Sequence, residues 1–182
     1  AAVHDEALYQ LHAKRGDSWG GGDAGGLDYE PREKPVFADN VMPEKVKALY
    51  LNNEFVADVD EYIAIADGCG INAFVIDIQD GGAIGYASPT MEKYSPSAYK
   101  SAYNTLEEYK AAVQKIKDAG YYIIGRITTF NDPYFAEDHP ECLIVRSGTD
   151  KPMKIVGMYW PSAYNRYVWQ YKVDLALEAI EL

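Results

Sequence analysis

Residues 73–80 read AFVIDIQD, and two glycines follow at 81 and 82. Phe74, Val75, Ile76 and Ile78 have the apolar density of a strand covered on both faces, as parallel sheets require. Asp77 interrupts that run and Asp80 closes it. Side chains alternate along a strand, so Phe74, Ile76 and Ile78 share one face while Val75, Asp77 and Gln79 share the other. The apolar set is expected against helices, and the second set against an interior that accommodates a charge.

Working upstream, Val46–Leu51 (VKALYL) reads as a strand. Asp58–Asp67 carries Val59, Tyr62, Ile63 and Ala66 at helical spacing, with Gly68 or Gly70 able to supply a left-handed stop. Downstream, a long loop is expected before Thr105, where Thr105 and Glu108 form a capping box. The stripe Leu106, Tyr109, Val113 and Ile116 then continues to a stop at Gly120. Tyr121–Thr128 (YYIIGRIT) is a third strand. Tyr167–Leu182 is a third helix, with Trp169, Val173, Ala176 and Ile180 expected along its buried stripe.

Strands alternating with helices call for parallel pairing through right-handed crossovers, either in a doubly wound sheet or in a (β/α) barrel. A dinucleotide fold would place a glycine-rich turn directly after the first strand, whereas Leu51 is followed by Asn52, Asn53, Glu54 and Phe55. The expected fold is therefore a partial (β/α)8 TIM barrel made of its first three βα units, since a full barrel takes about 250 residues. Residues 46–182 are assigned to that partial barrel and residues 1–45 to an N-terminal segment. Within the latter, residues 1–15 suggest a short helix, and GDSWGGGDAGG at 16–26 suggests a flexible linker rather than a calcium loop, which would need repeated copies. Three strands leave an open side. It is expected to be covered by the remainder of the barrel or by self-association.

The chain has 182 residues, 48% of them apolar, and a net charge of −11. That is material for one sizeable core, and the charge repels nucleic acid and anionic headgroups. No apolar run approaches the roughly 20 residues that span a bilayer, so membrane insertion is not expected. The first residues, AAVHDEALYQ, lack the basic and apolar regions of a signal peptide. Cys69 and Cys142 form no CxxC pair, and His4, His12 and His139 show no ligand spacing, so neither a metal nor another cofactor is expected. Sixteen tyrosines supply flat apolar faces with polar handles, which suit sugar clefts and ordinary interfaces alike.

Arg126 sits on the third strand at a position comparable to Asp77, and strands about 4.8 Å apart bring the two within reach. The pair is either a buried ion pair that fixes register or a lining of a ligand cleft. Asp80 belongs to the turn with Gly81 and Gly82. The acidic run EDHPE at 137–141 reads as a solvated loop, and Trp160, beside Tyr159 and Tyr164, as a stacking platform or a packing residue.

From Val46 to Leu182 the sequence resembles a bacterial glycoside hydrolase family with a TIM-barrel domain, largely of unknown function. VKALYL, NAFVIDIQD (72–80), YYIIGRITTFNDP (121–133) and VWQYKVDLALEAIEL (168–182) carry the resemblance, by their order and spacing. It implies action on a polysaccharide by carboxylate general acid and base chemistry, outside the cell or at its envelope. It implies catalytic roles for Asp77 and Asp80, and substrate binding by Asn72, Arg126, Asn131, Asp132 and Trp160. The sequence Tyr159-Trp160-Pro161-Ser162 departs from the family's pattern ahead of the last helix. The family's acid-bearing fourth strand is not within residues 1–182, so the expectation includes an incomplete catalytic pair. The alternative is a non-catalytic carbohydrate-binding surface protein on the same scaffold.

Overall fold

In a computed structural model, the described residues are 37–182; the helix, linker and histidines expected within residues 1–36 lie outside them. In chain order the elements are β1 (Ala48–Leu51), a 3₁₀ turn (Phe55–Asp58), α1 (Val59–Cys69), β2 (Ala73–Asp80), β3 (Ala83–Tyr86), α2 (Pro89–Tyr94), α3 (Pro96–Lys100) and β4 (Ala102–Asn104). They continue with α4 (Leu106–Asp118), β5 (Tyr122–Ile127), α5 (Pro133–Asp138), a 3₁₀ turn (Pro140–Cys142), β6 (Lys154–Ile155), β7 (Met158–Tyr159) and α6 (Arg166–Ile180).

β2 is central. It pairs in parallel with β1 on one side, Ala48 opposite Ala73 through Leu51 opposite Ile76, and with β5 on the other, Ala73 opposite Tyr122 through Asp77 opposite Arg126. The three strands and their helices are the βα units of a partial TIM barrel, and the sheet does not close on itself. Beyond the end of β1, β2 folds back through Gly81 and Gly82 into β3, which pairs antiparallel with it and parallel with β4. Gly81 takes φ +59°, a region open to glycine at little cost.

The helices stand where their caps place them. At α4, Thr105 Oγ1 accepts from the Glu108 amide at 3.2 Å while Glu108 Oε2 accepts from the Thr105 amide at 2.8 Å, so two orphan donors are satisfied together. Tyr109, Ala112, Val113 and Ile116 follow at helical spacing and are buried. Gly70 at φ +66° and Gly120 at φ +83° provide the left-handed exits of α1 and α4. Against these helices lie Phe74, Ile76 and Ile78, all buried, as the alternation in β2 requires.

Three expectations are corrected. The long loop expected before Thr105 holds β3, α2, α3 and β4. The acidic run at 137–141, expected as a solvated loop, instead ends α5 and enters a 3₁₀ turn ahead of the β6–β7 hairpin. The short helices are marked by proline at the first helical position after a polar cap: Ser88 accepts from the Met91 amide and Asp132 from the Phe135 amide. In α6 the buried residues are Val168, Tyr171, Lys172 and Leu175, whereas Val173 and Ile180 are exposed. The buried stripe thus passes through a lysine, which a hydrophobicity pattern discards.

The outer edge of β5 is partly covered from within the described residues. The Asn40 side chain donates to the Ile123 carbonyl at 3.1 Å and accepts from the Ile123 amide at 2.8 Å, as a neighbouring strand would. Lys117 pins this segment by an ion pair to Asp39 at 2.9 Å.

Candidate functional site

The site grows from the C-terminal ends of β2 and β5. Register puts Tyr50, Val75 and Ile124 on one rung across β1, β2 and β5, and Asp77 and Arg126 on the next rung of the same face. Asp77 has no solvent exposure, yet its carboxylate is fully engaged: Arg126 Nη1 donates to Oδ1 at 2.7 Å and the Tyr50 hydroxyl donates to Oδ2. The guanidinium also lies 5.5 Å from the centroid of the Tyr50 ring. Holding a proton against this carboxylate pushes the Tyr50 hydroxyl up to about 12, with burial adding to the effect.

The backbone beneath Asp77 is equally determined. Its carbonyl accepts from the buried Tyr109 hydroxyl of α4 at 2.8 Å. A Cβ on Gly85 would fall 2.5 Å from that same oxygen, so the hairpin can lie against β2 only with glycine there.

Asp80 differs from Asp77 in what it leaves open. Arg126 Nη2 at 3.0 Å and Thr128 Oγ1 at 2.8 Å both donate to its Oδ1. No described residue donates to its Oδ2, and its side chain is 42% exposed. The Arg126 guanidinium, with the Thr128 hydroxyl, holds the Asp80 carboxyl below its ordinary value. Asp80 and Asp77 in turn hold the Arg126 proton firmly. One guanidinium therefore orients two carboxylates, one buried and saturated, the other facing solvent with an open oxygen.

Behind this face lies a second polar group. The β2–β5 register shifts between Asp77 and Gln79, as at a β-bulge. Gln79 meets α6: Lys172 Nζ donates to its Oε1 at 2.6 Å and to Asp132 Oδ2 at 2.6 Å. Gln79 Nε2 donates to Asp132 Oδ2 at 2.8 Å and to the Gly81 carbonyl at 3.3 Å. Lys172, Gln79 and Asp132 are all buried. Burial lowers the Lys172 proton affinity, and the Asp132 carboxylate opposes that shift. The cluster ties the turn after β2 and the turn after β5 to one helix.

Of the residues expected at the site, the structure brings Asp77, Asp80 and Arg126 together. Asn131 joins them at the edge, its amide 3.3 Å from where a Cβ on Gly81 would stand. Asp132, expected to bind substrate, caps α5 and pairs with Lys172, so it is enclosed. Asn72 lies at the opposite end of β2, accepting from the Lys47 amide and donating to the Lys45 carbonyl, both at 2.7 Å. Trp160 donates to the Ile155 carbonyl at 3.1 Å and so braces the β6–β7 hairpin.

Tyr50, Thr128, Gln79 and Lys172 were not singled out in advance. Thr128 stands two residues after Arg126, and Tyr50 is paired with Val75 just below Asp77; both follow once register is known. The two cysteines are free thiols, Cys69 exposed and Cys142 buried. Among the described residues no group of His, Cys, Asp and Glu is arranged to hold a metal ion, and no helix is long and apolar enough to cross a membrane.

Comparison with known proteins adds two findings. A family model described as "Putative glycosyl hydrolase domain" matches residues 48–182. A crystal structure of a hypothetical protein from Ruminiclostridium thermocellum ATCC 27405 superposes with a TM-score of 0.61 at 27% identity, covering 73% of this chain and 70% of that one. No curated protein matches.

Proposed function

We propose a function from one premise: the chain belongs to the glycosyl hydrolase domain family whose model spans residues 48–182. Asp80 is the ionised carboxylate of a site that cleaves glycosidic bonds in a polysaccharide. The observation that carries this reading is the asymmetry of its carboxylate, with Oδ1 fixed by Arg126 and Thr128 and Oδ2 open on a half-exposed side chain. Glycoside hydrolysis passes through an oxocarbenium-like centre, and an oriented carboxylate kept charged stabilises that centre or attacks it. Asp77 has no free oxygen to present to a sugar, and its role is to position Arg126. The substrate is met outside the cell or at its envelope, a reading that rests on the resemblance carried by NAFVIDIQD and YYIIGRITTFNDP.

Release of reducing ends from a panel of purified plant, fungal and bacterial wall polysaccharides tests the proposal. The expected result is release from at least one of them. Binding without release would reassign the chain to a carbohydrate-binding role, and neither binding nor release would overturn the reading.

A further inference from the structure

Beyond the Asp80 turn the structure holds a cavity of about 520 Å³ between α5 and the β6–β7 hairpin. Its walls are mainly apolar, from Pro140, Leu143, Pro152 and Met158, and Tyr159, a residue 42% exposed, closes one side. The volume falls in the ordinary range for small-ligand sites, roughly 300–1,000 Å³. Pro133 connects it to the site described above: the ring lines the cavity and also lies 3.3 Å from where a Cβ on Gly82, two residues after Asp80, would stand.

We infer that this cavity is a subsite for a further sugar unit of the chain held at Asp80, with Tyr159 as its stacking platform. The inference rests on the proposed glycan-cleaving function. A pyranose presents an apolar face of C–H bonds and a rim of hydroxyls. The cavity offers the complement: apolar walls, an aromatic ring with a polar tip, and one donor and one acceptor in Lys154 and Glu137. These two charges cancel, so the cavity suits a neutral sugar rather than an anionic one. Lys154 Nζ lies over the Tyr159 ring, 4.9 Å from its centroid, so the cavity's cation and its aromatic ring are adjoined.

A second observation supports a built site. Val156, at the tip of the hairpin that carries Tyr159, has φ +52°, and Gly157 follows at φ +78°. A β-branched residue in the left-handed region is strained, and such strain gathers where a segment is held for a task. Here the tight turn and the Trp160 indole bond to the Ile155 carbonyl together fix the hairpin that presents Tyr159.

The test is calorimetric titration of the full chain with neutral cello-, xylo-, manno- and chito-oligosaccharides, from disaccharide to hexasaccharide. Affinity for the preferred series should rise with length. Tyr159→Ala should weaken the longest ligand by about tenfold, the scale of losing a central aromatic anchor, and leave the disaccharide unchanged. Tyr159→Phe, which keeps the ring, should retain the affinity. Tyr159 is exposed enough that either variant should keep the wild-type circular dichroism spectrum. If Asp80→Asn lowers affinity while Tyr159→Ala does not, the subsite is wrong and the reading of Asp80 stands. If the wild-type chain binds none of the four series at any length, both are overturned.

Discussion

Lys172→Met will lower the thermal midpoint by about 10–15 °C. Lys172 is only 6% exposed, and its ammonium is shared between Gln79 and Asp132. Removing it strands a buried carboxylate, which costs about 3–5 kcal/mol, and each kcal/mol shifts a domain of this size by roughly 2–4 °C. The pair itself is not the source of net stability, because desolvating both groups offsets most of their attraction. Lys172→Met combined with Asp132→Asn should therefore recover most of the midpoint, since the asparagine keeps the cap on the Phe135 amide without the charge. A single variant that melts like the wild-type chain, or a double variant no better than the single, would contradict the arrangement. Differential scanning calorimetry reads both.

The second large effect separates the two aspartates. Asp80→Asn should reduce hydrolysis by about a thousandfold, about 4 kcal/mol of barrier, because the oriented negative charge is lost at the reacting centre. Stability should change by less than about 1 kcal/mol, since the Asp80–Arg126 pair is half-exposed and screened by solvent. Asp77→Asn should do the reverse in emphasis. It leaves Arg126 and the Tyr50 hydroxyl competing for one acceptor in a fully buried place, at a cost of about 1–3 kcal/mol, since the half-exposed Arg126 stays paired with Asp80. Its effect on hydrolysis acts through displacement of Arg126, and hence of Asp80, and should be roughly a hundredfold. Activity lost equally in both variants at unchanged stability would assign Asp77 to the chemistry. Stability lost equally in both would make Asp80 a structural residue.

Much of this arrangement was legible in AFVIDIQD. Alternation placed Asp77 on the face away from the helices, and parallel pairing of adjacent strands put Arg126 opposite it, because both statements depend only on backbone periodicity. The caps of α4 and the glycine stops were legible for the same reason, each being local. What alternation cannot convey is where it stops. The register of β2 against β5 shifts after Asp77, and a single extra residue in a ladder leaves no mark in hydrophobicity. Lys172 was hidden in a similar way: a long charged side chain in a helix reads as solvent-facing until its partners, 93 and 40 positions away in sequence, are known.

The short elements between Gly82 and Thr105, and between Thr128 and α6, lack the length that makes a period visible. Their signals were Ser88-Pro89, Ser95-Pro96 and Asp132-Pro133, polar residues ahead of proline that begin helices of five or six residues. Asn72 is expected at the site only through the family resemblance of the NAFVIDIQD run, which it opens. A strand of this length separates its ends, and Asn72 closes the far one. Trp160 is expected, beside Tyr159 and Tyr164, as a stacking platform or a packing residue, and of these Tyr159 lines the cavity while Trp160 braces the hairpin.

The most direct measurement is a carbon-13 NMR titration of the aspartate side-chain carboxyls, assigned with Asp80→Asn and Asp77→Asn. The account predicts that Asp80 titrates below the ordinary value of about 3.9, because Arg126 and Thr128 favour its charged form. The sign for stability follows: a carboxyl depressed in the folded chain contributes above its unfolded pKa, and that contribution is lost as pH falls through the folded value. The account further predicts that the Asp80 resonance moves when the preferred oligosaccharide is added. An Asp80 midpoint at or above the ordinary value, with a resonance indifferent to the sugar, would contradict the claim that this carboxylate is held charged and open for substrate.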